Sequence, residues 1–283
     1  MKNRWKMMMA LLLSAGVANA AYVTIGNAGN ANDSIGYGGV SYSYKISSTE
    51  VTIAEMAAAT GAGSGNENYW NDGTRTVGTA APAVNISLYE AMKYCNYLTS
   101  GNVNNGVYTF VSGFYSSTMS RSAIMAGGLD SVATDANKIY ALPTEDEWYK
   151  AAYYKPDDSG YSLYANGTGI APGVETDSNY GGTGGTYSGT WIVGTGTEEQ
   201  NGTDDMMGNV WEWMEDSAGV IRGGSFRLTE AYLRSSSRGG GDPSSEYGNV
   251  GFRPVEVVPE PAIMGLLGIG GAIVFLVRMK QRL

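Results

Sequence analysis

Hydrophobic and polar positions change their spacing several times along the chain, and each change marks an element. Tyr42 to Val51 alternates polar with apolar, the period of a strand covered on one face. Thr52 and Glu55 follow three apart, with Val51 and Met56 placed to close over them. This is a capping box with its hydrophobic staple, and it predicts a helix start. The same device recurs at Ser87 and Glu90, where Leu88, Ala91, Met92, Cys95 and Leu98 repeat at helical spacing. A third copy stands at Thr144 and Glu147, with Pro143 and Trp148 as staple and Ala151 and Ala152 on the same face. Each box satisfies backbone amides that a helix start leaves without partners, worth roughly 1 kcal/mol.

Elsewhere the pattern thins. Residues 21–40 are rich in Gly, Asn and other small residues and read as an extended lead-in. From Lys155 to Gln200 the chain is mostly Gly, Thr, Ser, Tyr and Asn without clear periodicity. That is too long for an ordinary loop in a compact domain, so something must organise it, and a bound cation is one candidate. Short strands are predicted over Val210 to Met214, Val220 to Phe226 and Val250 to Val255. Neither an internal repeat nor a glycine-rich phosphate loop is present. The expectation is a single α+β domain over residues 41–256, loop-rich, with few helices and short strands.

Composition sharpens this picture. The 283 residues include 41 Gly and 20 Tyr, and only 16 % are charged. The formal net charge is -9. Without the two end segments the balance is 12 Lys and Arg against 26 Asp and Glu. Such a surface repels nucleic acid and anionic lipid and is compatible with divalent cations. Histidine is absent, which excludes His-dependent triads and His-ligated iron or zinc. The one cysteine, Cys95, can form neither an internal disulfide nor a two-thiolate site. It lies on the apolar face of its helix and reads as an inert core thiol.

Both ends read as addresses. Residues 1–20 carry Lys2, Arg4 and Lys6, then an apolar run from Met7 to Val17, then Ala18-Asn19-Ala20. This is the layout of a signal peptide cut by signal peptidase. At the other end, Val258-Pro259-Glu260-Pro261 precedes an apolar segment, residues 262–277, and then Arg278, Lys280 and Arg282. The basic end would stay on the cytoplasmic side. The tail, residues 258–283, resembles the PEP-CTERM sorting signal. That resemblance implies transient anchoring in the inner membrane and exosortase processing near Pro259, Glu260 and Pro261. Delivery to the surface or matrix of a Gram-negative bacterium would follow.

Five segments occur in a telling order. Pro82-Ala83-Val84-Asn85-Ile86-Ser87 runs into Ala91-Met92-Lys93-Tyr94-Cys95-Asn96, and Leu142-Pro143-Thr144-Glu145-Asp146-Glu147-Trp148 follows. Then come Met207-Gly208-Asn209-Val210-Trp211-Glu212-Trp213, Arg222-Gly223-Gly224-Ser225-Phe226 and Gly251-Phe252-Arg253. Together they resemble the formylglycine-generating-enzyme, or sulfatase-modifying-factor, family. The resemblance implies a divergent C-type-lectin-like fold, often calcium-stabilised. The family's prototype oxidises a substrate cysteine with copper held by two cysteines. Here the matching positions are Leu228 and Leu233, which offer no donor for a soft metal ion. Ser225 matches an active-site serine of the family, but a serine without a base is not a nucleophile. A related branch uses iron on histidines, which this chain lacks. No copper or iron cofactor is therefore expected.

Other positions carry two readings. Trp211 and Trp213 alternate with Val210 and Glu212, so the plain reading is two core indoles beside an exposed acid. By resemblance, Asp205 and Glu212 with the carbonyls of Gly208 and Val210 would form a calcium site of hard oxygens. A second family calcium site would fall at Asn179 and Tyr180. Arg222 and Arg253 are expected to pair with buried carboxylates. Gly223 and Gly224 would permit close packing or positive φ. Arg234 and Arg238 either line a groove or sit in solvent. The functional expectation is an exported, catalytically inactive binding or structural module whose partner is a glycan, an exopolysaccharide or a surface protein. The alternative is an enzyme of the same family with residual or unassigned activity.

Overall fold

The computed structural model describes residues 21–59, 78–135, 137–181 and 189–258. The expected signal peptide, membrane segment and sorting residues Pro259, Glu260 and Pro261 lie outside the described residues. Among the described residues no helix is long and apolar enough to cross a membrane.

Strand β1 (Tyr22–Ile25) opens the fold and pairs antiparallel with β2 (Tyr44–Ser47), Tyr22 opposite Ser47. The lead-in is therefore woven into a sheet from its start. Helices α1 (Ile53–Ala58) and α2 (Leu88–Ser100) follow, each opened by its full capping box at Thr52 and Ser87. Hairpin strands β3 (Tyr108–Val111) and β4 (Phe114–Thr118) come next. Their two-residue turn, Ser112-Gly113, has positive φ at both positions, which matches the twist of a hairpin. A short helix α3 (Arg121–Met125) is capped by Ser120. Strand β5 (Ile139–Ala141) leads into α4 (Glu145–Tyr153), opened by the Thr144 box.

Helix α4 is the centre of the molecule, and every residue from Glu147 to Tyr153 is buried. The lead-in loop packs on it. Gly38 N–H donates to Asp146 Oδ1 at 2.9 Å, Lys150 Nζ donates to the Asn27 carbonyl at 2.9 Å, and the Tyr149 hydroxyl donates to Asp33.

The last strands are short: β6 (Trp211–Trp213), β7 (Val220–Arg222), β8 (Gly239–Gly240), β9 (Val250–Gly251) and β10 (Val255–Val257). One sheet has the order β1-β2-β10-β5 and another the order β8-β7-β6-β9. In the second sheet β6 and β9 run parallel. The strand expected from Val220 ends early because Gly223 and Gly224 turn left-handed, with φ 102° and 81°. The strand expected from Val250 to Val255 divides between the two sheets, with Pro254 at the crossing.

Polar side chains hold much of the long segment after Lys155. Gln200 Nε2 donates to the Ala152 carbonyl at 2.8 Å, and Asn201 Nδ2 donates to the carbonyls of Ala151 and Tyr154 at 2.9 and 2.7 Å. These amides satisfy carbonyls that the end of α4 leaves open. Buried Glu199 accepts from the backbone N–H groups of Met206 and Met207 and from the Thr203 hydroxyl.

Candidate functional site

The turn before β6 is built by backbone contact. At Gly208 φ is 89°, and a Cβ there would collide with the Asn179 carbonyl. Asn209 N–H donates to that carbonyl at 2.8 Å, and Asn179 Nδ2 donates to Asn209 Oδ1 at 3.0 Å and to the Gly189 carbonyl at 2.9 Å. Tyr180 beside it donates its hydroxyl to the Pro172 carbonyl at 2.5 Å. The two regions proposed for separate ions thus meet at one buried junction.

The acid of β6 is not exposed. Glu212 is fully buried, as are Trp213 on the same strand and Val210 before it, and Trp211 is nearly so. Arg253 grips both carboxylate oxygens, Nε to Oε2 at 2.8 Å and Nη2 to Oε1 at 2.7 Å. Trp148 Nε1 adds a third donor at 2.7 Å. The alternation of Trp and Glu reports strand geometry correctly, but the second sheet face is covered too. Arg222 pairs with Glu145 at 2.6 Å and stacks 4.6 Å from the Tyr37 ring centre.

Asp205 behaves differently. Its Oδ2 accepts from Gly194 N–H at 2.7 Å, while Oδ1 is buried without a hydrogen-bond partner. Glu50 shares this property: Oε2 accepts from Asn209 Nδ2 at 3.2 Å and Oε1 is buried without a partner. Burial pushes the Asp205 carboxyl up to about 6, against the pull of Gly194 N–H and Arg253. Burial, and then the neighbouring Asp205, push Glu50 well above the usual carboxylate range. Both orphaned oxygens are hard donors of the type calcium takes, on two carboxylates close enough to interact. Glu212, whose oxygens already carry three donors, fits that role poorly. Among the described residues no group of three or more His, Cys, Asp or Glu side chains is arranged to hold a metal.

The positions that match the family's copper ligands are taken up by apolar core packing. Leu233 is fully buried at the end of a 3-10 turn, Glu230–Leu233, and Leu228 is packed half-buried on the core. A Cβ on Gly224 would stand 2.8 Å from Leu233 Cδ2, so the glycine makes room for the leucine. Ser225 is also fully buried, and its Oγ accepts from Asn249 Nδ2 at 3.3 Å. These residues do not fit copper, and among the described residues the partner of the serine hydroxyl is an amide rather than a base. Arg234 donates to the Tyr164 hydroxyl at 3.1 Å, and exposed Arg238 pairs with Glu145 at 2.9 Å. Cys95 is buried, and burial pushes its thiol pKa up, away from reactivity.

Sequence reading missed a buried cation. Arg121 binds Glu147 through Nε and Nη2, both at 2.9 Å, and Glu215 through Nη1 at 3.0 Å. Its only local signal is Ser120, which caps α3.

Short strands, a central capped helix and long hydrogen-bonded loops define an α+β domain of the sulfatase-modifying type. Residues 37–258 match the Sulfatase-modifying factor enzyme 1-like domain, and the chain belongs to that family. Residues 257–281 match the PEP-CTERM protein-sorting motif, which implies processing by an exosortase and is consistent with export to a Gram-negative cell surface. Among solved structures, Treponema denticola variable protein 1 is 24% identical with a TM-score of 0.58, the match covering 83% of this chain and 94% of that one. CarF is 19% identical with a TM-score of 0.57, covering 84% and 98%. PvdO from Pseudomonas aeruginosa is 19% identical with a TM-score of 0.50, covering 84% and 91%. These likenesses show the shared fold. No curated protein matches the chain.

Proposed function

We propose that this exported domain is a binding module of the cell surface or extracellular matrix that has lost the family's oxidase chemistry. The observation that carries the reading is the buried contact of Leu233 with Gly224, at the place where a thiolate would have to reach copper. Neither leucine has a lone pair to give a soft metal ion. The binding partner in this reading is a glycan, an exopolysaccharide or another surface protein. A calcium ion at Asp205 would be structural, with Glu50 rather than Glu212 completing its side-chain set.

The test is direct. Purified full chain is incubated with a Cys-x-Pro-x-Arg peptide, copper and oxygen, and the peptide is weighed by mass spectrometry. The expected result is unchanged peptide mass. Conversion of the thiol to the aldehyde at a rate above a copper-only control would overturn the reading.

A further inference from the structure

We propose that the groove between the lead-in loop and the start of the long polar segment binds a neutral oligosaccharide. The proposal rests on the binding-module reading and gives that module a place and a ligand class. The groove has a volume of about 610 Å³. This lies in the ~300–1,000 Å³ range of small-ligand sites. It is lined by Asn32, Asp33 and Ser34 from the lead-in and by Asp158, Ser162 and Ser235, together with Tyr154 and Tyr161.

The rings are held before any ligand arrives. They meet edge to face with centres 4.9 Å apart. The Tyr154 hydroxyl donates to Asp158 Oδ1 at 2.8 Å. The Tyr161 hydroxyl donates to the Ala31 carbonyl at 2.9 Å and accepts from Asn30 Nδ2 at 2.7 Å. Each polar tip is therefore spent within the protein, and the part of each half-buried ring that lines the groove offers apolar surface. Lys150 Nζ lies 5.8 Å from the Tyr154 ring centre, and Tyr149 packs on Tyr161. Gly38 has φ 92°, and a Cβ there would crowd the Tyr161 hydroxyl to 2.5 Å. The glycine thus reserves the ring's position. A preordered ring loses little further rotamer freedom on binding.

Charge selects the ligand class. Asp33 and Asp158 line the groove and no Lys or Arg does. An anionic sugar or a phosphate would meet repulsion there. A neutral sugar meets a complementary surface instead: C–H faces against the rings, hydroxyl donors against Asp158 and acceptors against the Asn32 amide and Ser34 hydroxyl.

The experiment is saturation-transfer NMR on the full chain in lauryldimethylamine oxide, a detergent without a sugar headgroup. The probes are isomaltotriose, mannotriose and cellotriose, with trigalacturonate as the anionic comparison. At least one neutral trisaccharide should receive saturation, strongest at C–H protons of one ring face, and trigalacturonate should not. Tyr154→Ala should weaken binding at least tenfold. Ser34→Trp, at an exposed position, should block the groove and leave the melting temperature unchanged. Silence from every neutral probe, or preference for trigalacturonate, overturns the proposal. Neutral-sugar binding untouched by both variants also overturns it, while placing the module's glycan contact elsewhere. The oxidase assay decides the underlying reading independently.

Discussion

At the residue scale, three buried carboxylates hold protons longer than carboxylates in water. Burial pushes Glu199 up to about 8 and Asp205 up to about 6, and it pushes Glu50 in the same direction. The folded chain therefore binds protons that the unfolded chain has already lost between about pH 4 and pH 8. Stability from these groups is fully present at the acid end of that window and falls as pH rises through it. Glu147 has the opposite sign. Its burial alone would raise it, but Arg121 overrides that and holds it below the usual range, so its stabilisation is lost only in stronger acid. The expected outcome in EDTA is a melting temperature lower at pH 8 than at pH 5.5 by at least about 3 °C, because one extra bound proton is worth about 1.4 kcal/mol per pH unit and each kcal/mol shifts Tm about 2–4 °C. Calcium should recover more of the melt at pH 8, where it does not compete with protons, and Asp205→Asn should abolish the calcium response while leaving the part of the pH response that Glu199 and Glu50 carry. Equal melts with and without calcium at pH 8 would count against an ion at this locus. The turn motif was legible in the sequence, but the orphaned oxygen of Glu50 was not, because its neighbours lie about 150 residues away in the chain.

At the element scale, helix α4 shows what local sequence encodes and what it does not. Its start was legible because a capping box is closed within four residues, and Thr144 Oγ1 accepts from Glu147 N–H at 3.2 Å while Glu147 Oε2 accepts from Thr144 N–H at 2.7 Å. Its end was not, because Gln200 and Asn201 reach back across nearly fifty residues to bind its last carbonyls. The box also carries a second duty that no local pattern reveals. Glu147 receives Arg121 and the Tyr42 hydroxyl, the latter at 2.7 Å, so the capping residue is the anion of a buried ion pair. Two substitutions in one box should therefore differ in cost. Thr144→Ala removes a cap and should destabilise by about 1 kcal/mol. Glu147→Gln also strips a buried guanidinium of its main partner and should cost about 3 kcal/mol, in the range for breaking one side of a buried pair. Urea denaturation measures both. If Glu147→Gln costs no more than Thr144→Ala, Glu215 alone satisfies Arg121.

At the scale of the whole molecule, the sorting motif begins on an interior strand. Strand β10 lies between β2 and β5, with Val255 opposite both Ile46 and Ala141 and Val257 opposite Ile139. Its three residues are buried, and the sorting motif begins at residue 257 without an intervening spacer. The tail was legible from composition alone, whereas its junction with a central strand depends on pairings with residues 44–47 and 139–141 that only the folded chain brings together. Removing an interior strand leaves ladder groups on both neighbours unpaired and exposes the apolar side chains packed against them. A chain ending after Val258 keeps β10 and should melt cooperatively at the temperature of the full chain. A chain ending after Pro254 lacks β10 and should show no cooperative melt by circular dichroism. Exosortase processing anywhere beyond β10 would fit the first case and leave the sheet whole. A cooperative melt from the shorter chain would mean that β2 and β5 re-pair without β10. The junction would then place no limit on how far inward the tail can be cut.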